Sequence, residues 1–173
     1  MKTVIVLTLG LLAASPVLAG TLENFTAAET KYVEAWNGLP LTQRSVKFIT
    51  EKAQGFGGYT ARTSNTFKAG EPIVTYFEPI GFKSESLAGG KQGLNMVLDF
   101  RLTDPAGAVL YEQPGMLTYE RQFQSVPHDM ELDVNLQLDG APAGKYVLVW
   151  TLTDKVSGQQ STFKQDMEIA DAS

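Results

Sequence analysis

The side chains able to carry acid–base, nucleophilic or metal chemistry are few. Among 173 residues there is one histidine and no cysteine. A thiolate metal site, a cysteine nucleophile, a disulfide and a lipid-bearing cysteine are thereby ruled out. His128 stands in Val126-Pro127-His128-Asp129. A Ser-His-Asp triad would have to use it, and no Gly-x-Ser-x-Gly elbow accompanies it, so it reads as a surface-loop histidine. With carboxylates as its only co-ligands it makes a poor zinc set. Asp129, Glu131 and Asp133 recur at every second position and could offer oxygens to calcium. Calcium loops gather their acids in glycine-containing turns, whereas these three line the wet face of an expected strand, opposite Met130, Leu132 and Val134. Cross-strand pairing with Arg101 or Arg121 is their expected use. No catalytic residue, no metal and no cofactor are expected.

Glu71, Glu78, Glu112 and Glu120 could supply the carboxylate pair of a glycoside hydrolase. Glu78 is the most interesting, since Pro79 beside it marks an expected bulge or sheet edge, where a strand can re-aim a side chain. Aromatic residues are the richer signal. Phe56, Tyr59, Phe67, Tyr76, Phe77 and Phe82 fall within 27 residues. Alternation sends Tyr76 and Phe77 to opposite faces, so one ring should lie at a surface or under a covering segment, for which the N-terminal region is the expected cover. Rings beside arginine and glutamate make binding surfaces, and loops at the ends of sheets hold them rigidly. Tyr59, Arg62, Tyr76 and Glu78 are the candidate binding residues. The Gly55-Phe56-Gly57-Gly58 run neither follows a clear strand nor opens a helix, so it is no phosphate loop.

These residues need elements to hold them. Residues 1–19 read as a cleaved export signal, with Lys2 ahead of an apolar run over 4–14, Pro16, and small residues Val17 and Ala19 before a cut at Gly20. That run is shorter than the ~20 residues a membrane span requires, so the mature chain should carry no span. Residues 20–43 form a helical segment. Its helix over 22–37 carries Leu22, Phe25, Tyr32, Val33 and Trp36 on one face, an expected capping box at 26–29, and stop signals at Gly38 and Pro40. The stripe is expected to pack on the domain's own core, with docking to another chain as the alternative. From 44 to 173 the pattern is β-like. Residues 45–52 fit strand or helix. A short strand is expected at 59–64 and one interrupted by Pro79 at 73–82. Leu94, Met96, Leu98, Phe100 and Leu102 alternate cleanly, as do Met130 through Leu138 and Tyr146 through Leu152. Separate segments are expected at 108–112 and 115–126, the second of unclear register. The fold class is mainly β, an antiparallel immunoglobulin-like β-sandwich of seven to nine strands with one N-terminal helix. Trp150 is a candidate core residue.

The runs Gly57-Gly58-Tyr59, Phe67-Lys68-Ala69-Gly70-Glu71-Pro72 and Tyr76-Phe77-Glu78-Pro79-Ile80-Gly81-Phe82 resemble a group of uncharacterised exported bacterial proteins with an immunoglobulin-like β-sandwich domain. So do Asp104-Pro105-Ala106-Gly107 and Pro142-Ala143-Gly144-Lys145-Tyr146. The resemblance implies export and fold and carries over no catalytic residue. With 14 basic and 19 acidic residues and no basic face, nucleic acid is not an expected partner. The expectation is a non-catalytic binding module of the bacterial envelope, periplasmic or secreted, with an envelope protein or a glycan as partner. A carboxylate-based hydrolase, or an assembly protein docking through the 22–37 helix, are the alternatives. The sequence carries no signal for oligomeric state.

Overall fold

Alternating apolar and polar residues build the strands over 92–103, 132–136, 144–154 and 160–169. The protein is represented by a computed structural model, in which residues 20–171 are described. The export segment at 1–19 lies outside them. The chain divides into two compact units, one ending at Val33 and the other beginning at Glu34. Helix α1, Leu22–Gly38, runs through the division. Its cap lies one turn earlier than the expected 26–29 box: Thr21 Oγ1 accepts the Asn24 amide at 3.2 Å, while Thr26 is inside the helix and accepts from Thr30. Of the apolar stripe, Trp36 is buried, and Leu22, Phe25, Tyr32 and Val33 are exposed.

Nine strands follow among the described residues: β1 Thr42–Ile49, β2 Thr66–Phe67, β3 Ile73–Ile80, β4 Glu85–Ser86, β5 Gln92–Thr103, β6 Val109–Phe123, β7 Leu132–Leu136, β8 Gly144–Asp154 and β9 Gln160–Ile169. One sheet orders β1-β3-β7, all antiparallel. The other orders β2-β9-β8-β5, with β6 and β4 also paired to β5. This second sheet is mixed, not wholly antiparallel, because β2 runs parallel to β9. The reason is the path of the chain. Residues 65–67 run along the open edge of β9, where Asn65 bonds to Asp166 and Glu168, and Phe67 drops into the core. Residues 42–49 are strand, which resolves the ambiguity at 45–52. The expected strand at 59–64 reduces to one bridge between Ala61 and Ile49. The two segments expected at 108–112 and 115–126 are one 15-residue strand. Gly115, at φ +62°, donates its amide to Asp99, so the register shift beside Pro114 is absorbed without breaking the pairing.

Both sheets contribute to one core. Leu94, Met96, Leu98, Phe100 and Leu102 of β5 meet Leu132, Val134 and Leu136 of β7, as the alternation requires. Trp150 is fully buried between Phe100 and Phe163. Its indole Nε1–H donates to Gln165 Oε1 at 3.2 Å, and Thr75 Oγ1 of the facing sheet donates to the same oxygen at 2.9 Å. A polar pin thus joins the sheets inside the apolar core, with every buried polar side-chain atom of the described residues satisfied.

Two further residues set how the loops meet. Asp154 is buried, has no cation paired to it among the described residues, and accepts from the Lys83 and Val156 amides at 2.9 Å each and from Ser157 Oγ at 2.6 Å. Gly81 lies at φ +76°, and a Cβ there would stand 2.3 Å from the Pro40 carbonyl oxygen. Replacing Asp154 by alanine strands three donors and should cost about 2–4 kcal/mol. Gly81→Ala combines a left-handed backbone with a backbone clash and should cost about 2–4 kcal/mol. Urea unfolding of the two variants checks both values; midpoints within error of the parent chain would contradict them.

Candidate functional site

β3 is buried on both faces, which places the candidate site. Ile73, Thr75 and Phe77 face the inter-sheet core, and Val74, Tyr76 and Glu78 face the opposite way. Tyr76 and Phe77 are both fully buried. The cover over Tyr76 is the loop at 50–61 and not the N-terminal segment expected from the sequence. Tyr59 packs on the Tyr76 ring at 4.2 Å, and Ala53 and Tyr59 close a second, smaller core around Ile49, Val74 and Tyr76.

Three sets of bonds fasten this loop. At its ends, the Thr50 amide bonds to Thr60 and the Arg62 amide to Phe48. Near its start, the Ala53 amide donates to Asp133 Oδ2 at 3.2 Å. At its tip, the Gly57 amide donates to the Tyr76 hydroxyl oxygen at 2.8 Å. Gly57 adopts φ +69°, which turns that amide toward Tyr76 at a backbone conformation natural to glycine.

The Tyr76 hydroxyl in turn donates to Glu78 Oε1 at 2.9 Å, and Arg44 Nε donates to Glu78 Oε2 at 2.8 Å. The Glu78 side chain is 7% exposed and that of Arg44 45%, so a buried carboxylate is met by a cation reaching in from solvent. A bulge makes the meeting possible. Arg44 pairs with Glu78 and Lys47 with Tyr76, two residues against one, with Ser45 at φ +53°. Without the extra residue, Arg44 and Lys47 would fall on opposite faces of β1. The Arg44 guanidinium also lies 5.4 Å from the exposed Phe56 ring at the loop tip. Burial, opposed by the Gly57 amide and reinforced by the Glu78 carboxylate, pushes the Tyr76 hydroxyl up to about 12.

Tyr59, Tyr76 and Glu78 are therefore brought together, and Arg62 belongs to a separate constellation. Its guanidinium pairs with Glu71 at 2.6 Å, donates to the Thr66 carbonyl at 3.0 Å and covers the Phe67 ring at 4.2 Å. The Lys68 amide, more than Arg62, holds the Glu71 carboxyl below its usual range. Arg44 takes the place by Glu78, and sequence reasoning missed it because it lies 34 residues away across a bulge. Glu112 pairs with Arg101 and Asp133 tethers Ala53, so the expected pairing of the acidic trio with Arg101 is replaced. Arg121 bonds to the Glu120 carbonyl and covers the Tyr119 ring. His128 packs edge-on against Trp36 at 4.7 Å.

Beside Tyr59 the loop forms an open cleft of about 230 Å³ lined by Glu51, Lys52, Gln54, Gly58, Tyr59 and Thr60. Among the described residues, the side chains of Glu51, Lys52 and Gln54 make no hydrogen bond or ion pair within the protein. Also among the described residues, no group of three or more acids and histidines could hold a metal ion, and no helix is long and apolar enough to cross a membrane.

No family model and no curated protein match the chain. Among solved structures, the chain is similar to the Pseudomonas fluorescens alkylpurine DNA glycosylase AlkC bound to DNA containing an abasic site analog, at 10% identity and a TM-score of 0.41. The match covers 87% of this chain and spans 40% of that one.

Tyr76→Phe removes the acceptor of the Gly57 amide and one donor to Glu78, and should cost about 1–3 kcal/mol at neutral pH. The variant should also lose a pH dependence. An exposed tyrosine releases its proton near 10, whereas the folded Tyr76 hydroxyl holds it to about 12. Its contribution is complete below pH 10 and is lost as pH rises toward 12, a fall of roughly 1–3 kcal/mol. Burial raises Tyr119 as well, so the variant keeps part of the slope. Denaturant unfolding at pH 8 and pH 11.5 measures the difference; parallel losses in parent and variant would contradict it.

Proposed function

We propose that this chain is a non-catalytic binding module of the bacterial envelope, exported through residues 1–19, with an immunoglobulin-like β-sandwich as its frame. Two sheets sharing one core around a buried tryptophan support that frame. We assign recognition to the 50–61 loop. The observation that carries the proposal is a contrast within that loop. Its backbone and its Tyr59 ring are fixed to β3, while Glu51, Lys52 and Gln54 line a cleft with no internal partner. A fixed aromatic ring beside a carboxylate, an ammonium and an amide suits a saccharide. Its C–H face packs on a ring, and its hydroxyls need both donors and acceptors. At about 230 Å³ the cleft takes one sugar ring.

The hydrolase alternative has less support. Both oxygens of Glu78 are engaged, by Tyr76 and Arg44, and Asp133, opposite Tyr76 on β7, is taken up by the Ala53 amide. The assembly alternative rests on the exposed Leu22, Phe25, Tyr32 and Val33 of α1.

Titration of the isotope-labelled chain with glucose, N-acetylglucosamine and their β-linked dimers should perturb the amides of 51–60. Tyr59→Ala should weaken the tightest of these by about tenfold. No perturbation in the loop with any of the four sugars would contradict the saccharide assignment. If an envelope extract is then captured through α1 substitution-sensitive contacts alone, the assembly reading replaces it.

A further inference from the structure

Strand β6 presents an edge that the rest of the fold leaves open. It pairs with β5 from Gln92↔Phe123 to Thr103↔Val109, and no strand pairs with its other edge among the described residues. Soluble proteins guard such edges with charges, prolines or bulges. The later part of β6 is guarded in this way by Pro114, the turn of Gly115, Glu120 and Arg121. The first part has one register irregularity, between Val109 and Tyr111, and neither a proline nor a charge before Glu112. Val109, Leu110 and Tyr111 are consecutive and 49%, 54% and 51% exposed. The register shifts here, with Tyr111 opposite Leu102 and Val109 opposite Thr103, so Tyr111 lies on the Leu102 face and Val109 on the other, and the edge is apolar on both faces. The next residue, Glu112, is already paired with Arg101.

On the Tyr111 face a cleft of about 330 Å³ opens toward the inter-sheet core. Leu102, Tyr111, Leu136, Leu138, Ala141 and Asp139 are among the residues that line it. Leu102 and Leu136 belong to the main core, so a side chain entering here would extend that core. Asp139 is the only charged residue of the lining, and its one side-chain bond is from Gln137 Nε2 at 3.0 Å.

We infer that the Val109–Gln113 edge with this cleft is a β-augmentation site for an extended segment of a partner protein, one that sends an apolar side chain into the cleft and a lysine or arginine to Asp139. Backbone pairing with β6 would supply affinity, and the alternate side chains would supply selectivity. Charge complementarity decides the occupant. The cleft offers an anion without a cation, and the chain as a whole carries a net charge of −5. A second copy of this chain fits less well: antiparallel self-pairing centred on Tyr111 would set Leu110 against Glu112 and bring Asp139 no cation.

The test uses two synthetic nine-residue peptides in which valine alternates with threonine and either lysine or glutamate. The lysine peptide should perturb the amides of 109–113 and 136–141 and bind about tenfold more tightly than the glutamate peptide. Asp139→Asn, a change at an exposed side chain, should remove most of that preference while leaving the fold intact. Equal binding of the two peptides, perturbation elsewhere, or concentration-dependent dimerisation through β6 without peptide would each overturn the inference.

Discussion

The outward face of β3 imposes the constraint from which the local architecture follows. Tyr76 and Glu78 face away from the main core yet are buried. A buried carboxylate needs a cation or a set of hydrogen-bond donors, and a buried hydroxyl needs partners as well. The bulge in β1 brings Arg44 to Glu78, and the loop at 50–61 brings the Gly57 amide to Tyr76. Two adjoining features, the bulge and the loop that follows it, thus answer one requirement of β3. The loop cannot lift without exposing Ile49, Val74 and Tyr76 and leaving the Gly57 amide without its acceptor.

That constraint also bears on the proposal of recognition through this long, glycine-rich loop. A flexible loop loses conformational entropy on binding, and a fixed one has lost it already on folding. Between its ends it is held to the sheet through Ala53, Gly57 and Tyr59. Its polar side chains at 51, 52 and 54 are left to the cleft. Arg62, by contrast, is fully used in clamping the turn at 66–71, where it holds Phe67 at the core's edge.

The strands were legible wherever one face is wet. Leu94, Met96, Leu98, Phe100 and Leu102 alternate, and they point inward as read. β3 was legible as a strand with a covered second face, but the cover was expected from the N-terminal region and comes from the 50–61 loop, because a period of two says nothing about what covers that face. The parallel β2–β9 pair spans two residues and leaves no periodic trace. Pro114-Gly115 read as a break in the chain, yet the Asp99 carboxylate receives the Gly115 amide and the strand continues. Of the candidate site, the ring pair and Glu78 were visible as a local cluster. Arg44 was not, since its position depends on a one-residue bulge at Ser45. The task of Asp154 in holding the Lys83 amide depends on tertiary contact alone and leaves no local signal.

The closure of the 50–61 loop over β3 is measured most directly by amide hydrogen exchange at Ala53 and Gly57. Both amides donate to side chains of the sheet, so they should be protected to a degree approaching the amides of β3 itself. Tyr76→Phe should release Gly57 and leave Ala53, held by Asp133, the slower of the two. Exchange of Gly57 in the parent chain at the rate of an exposed loop amide would contradict the closure.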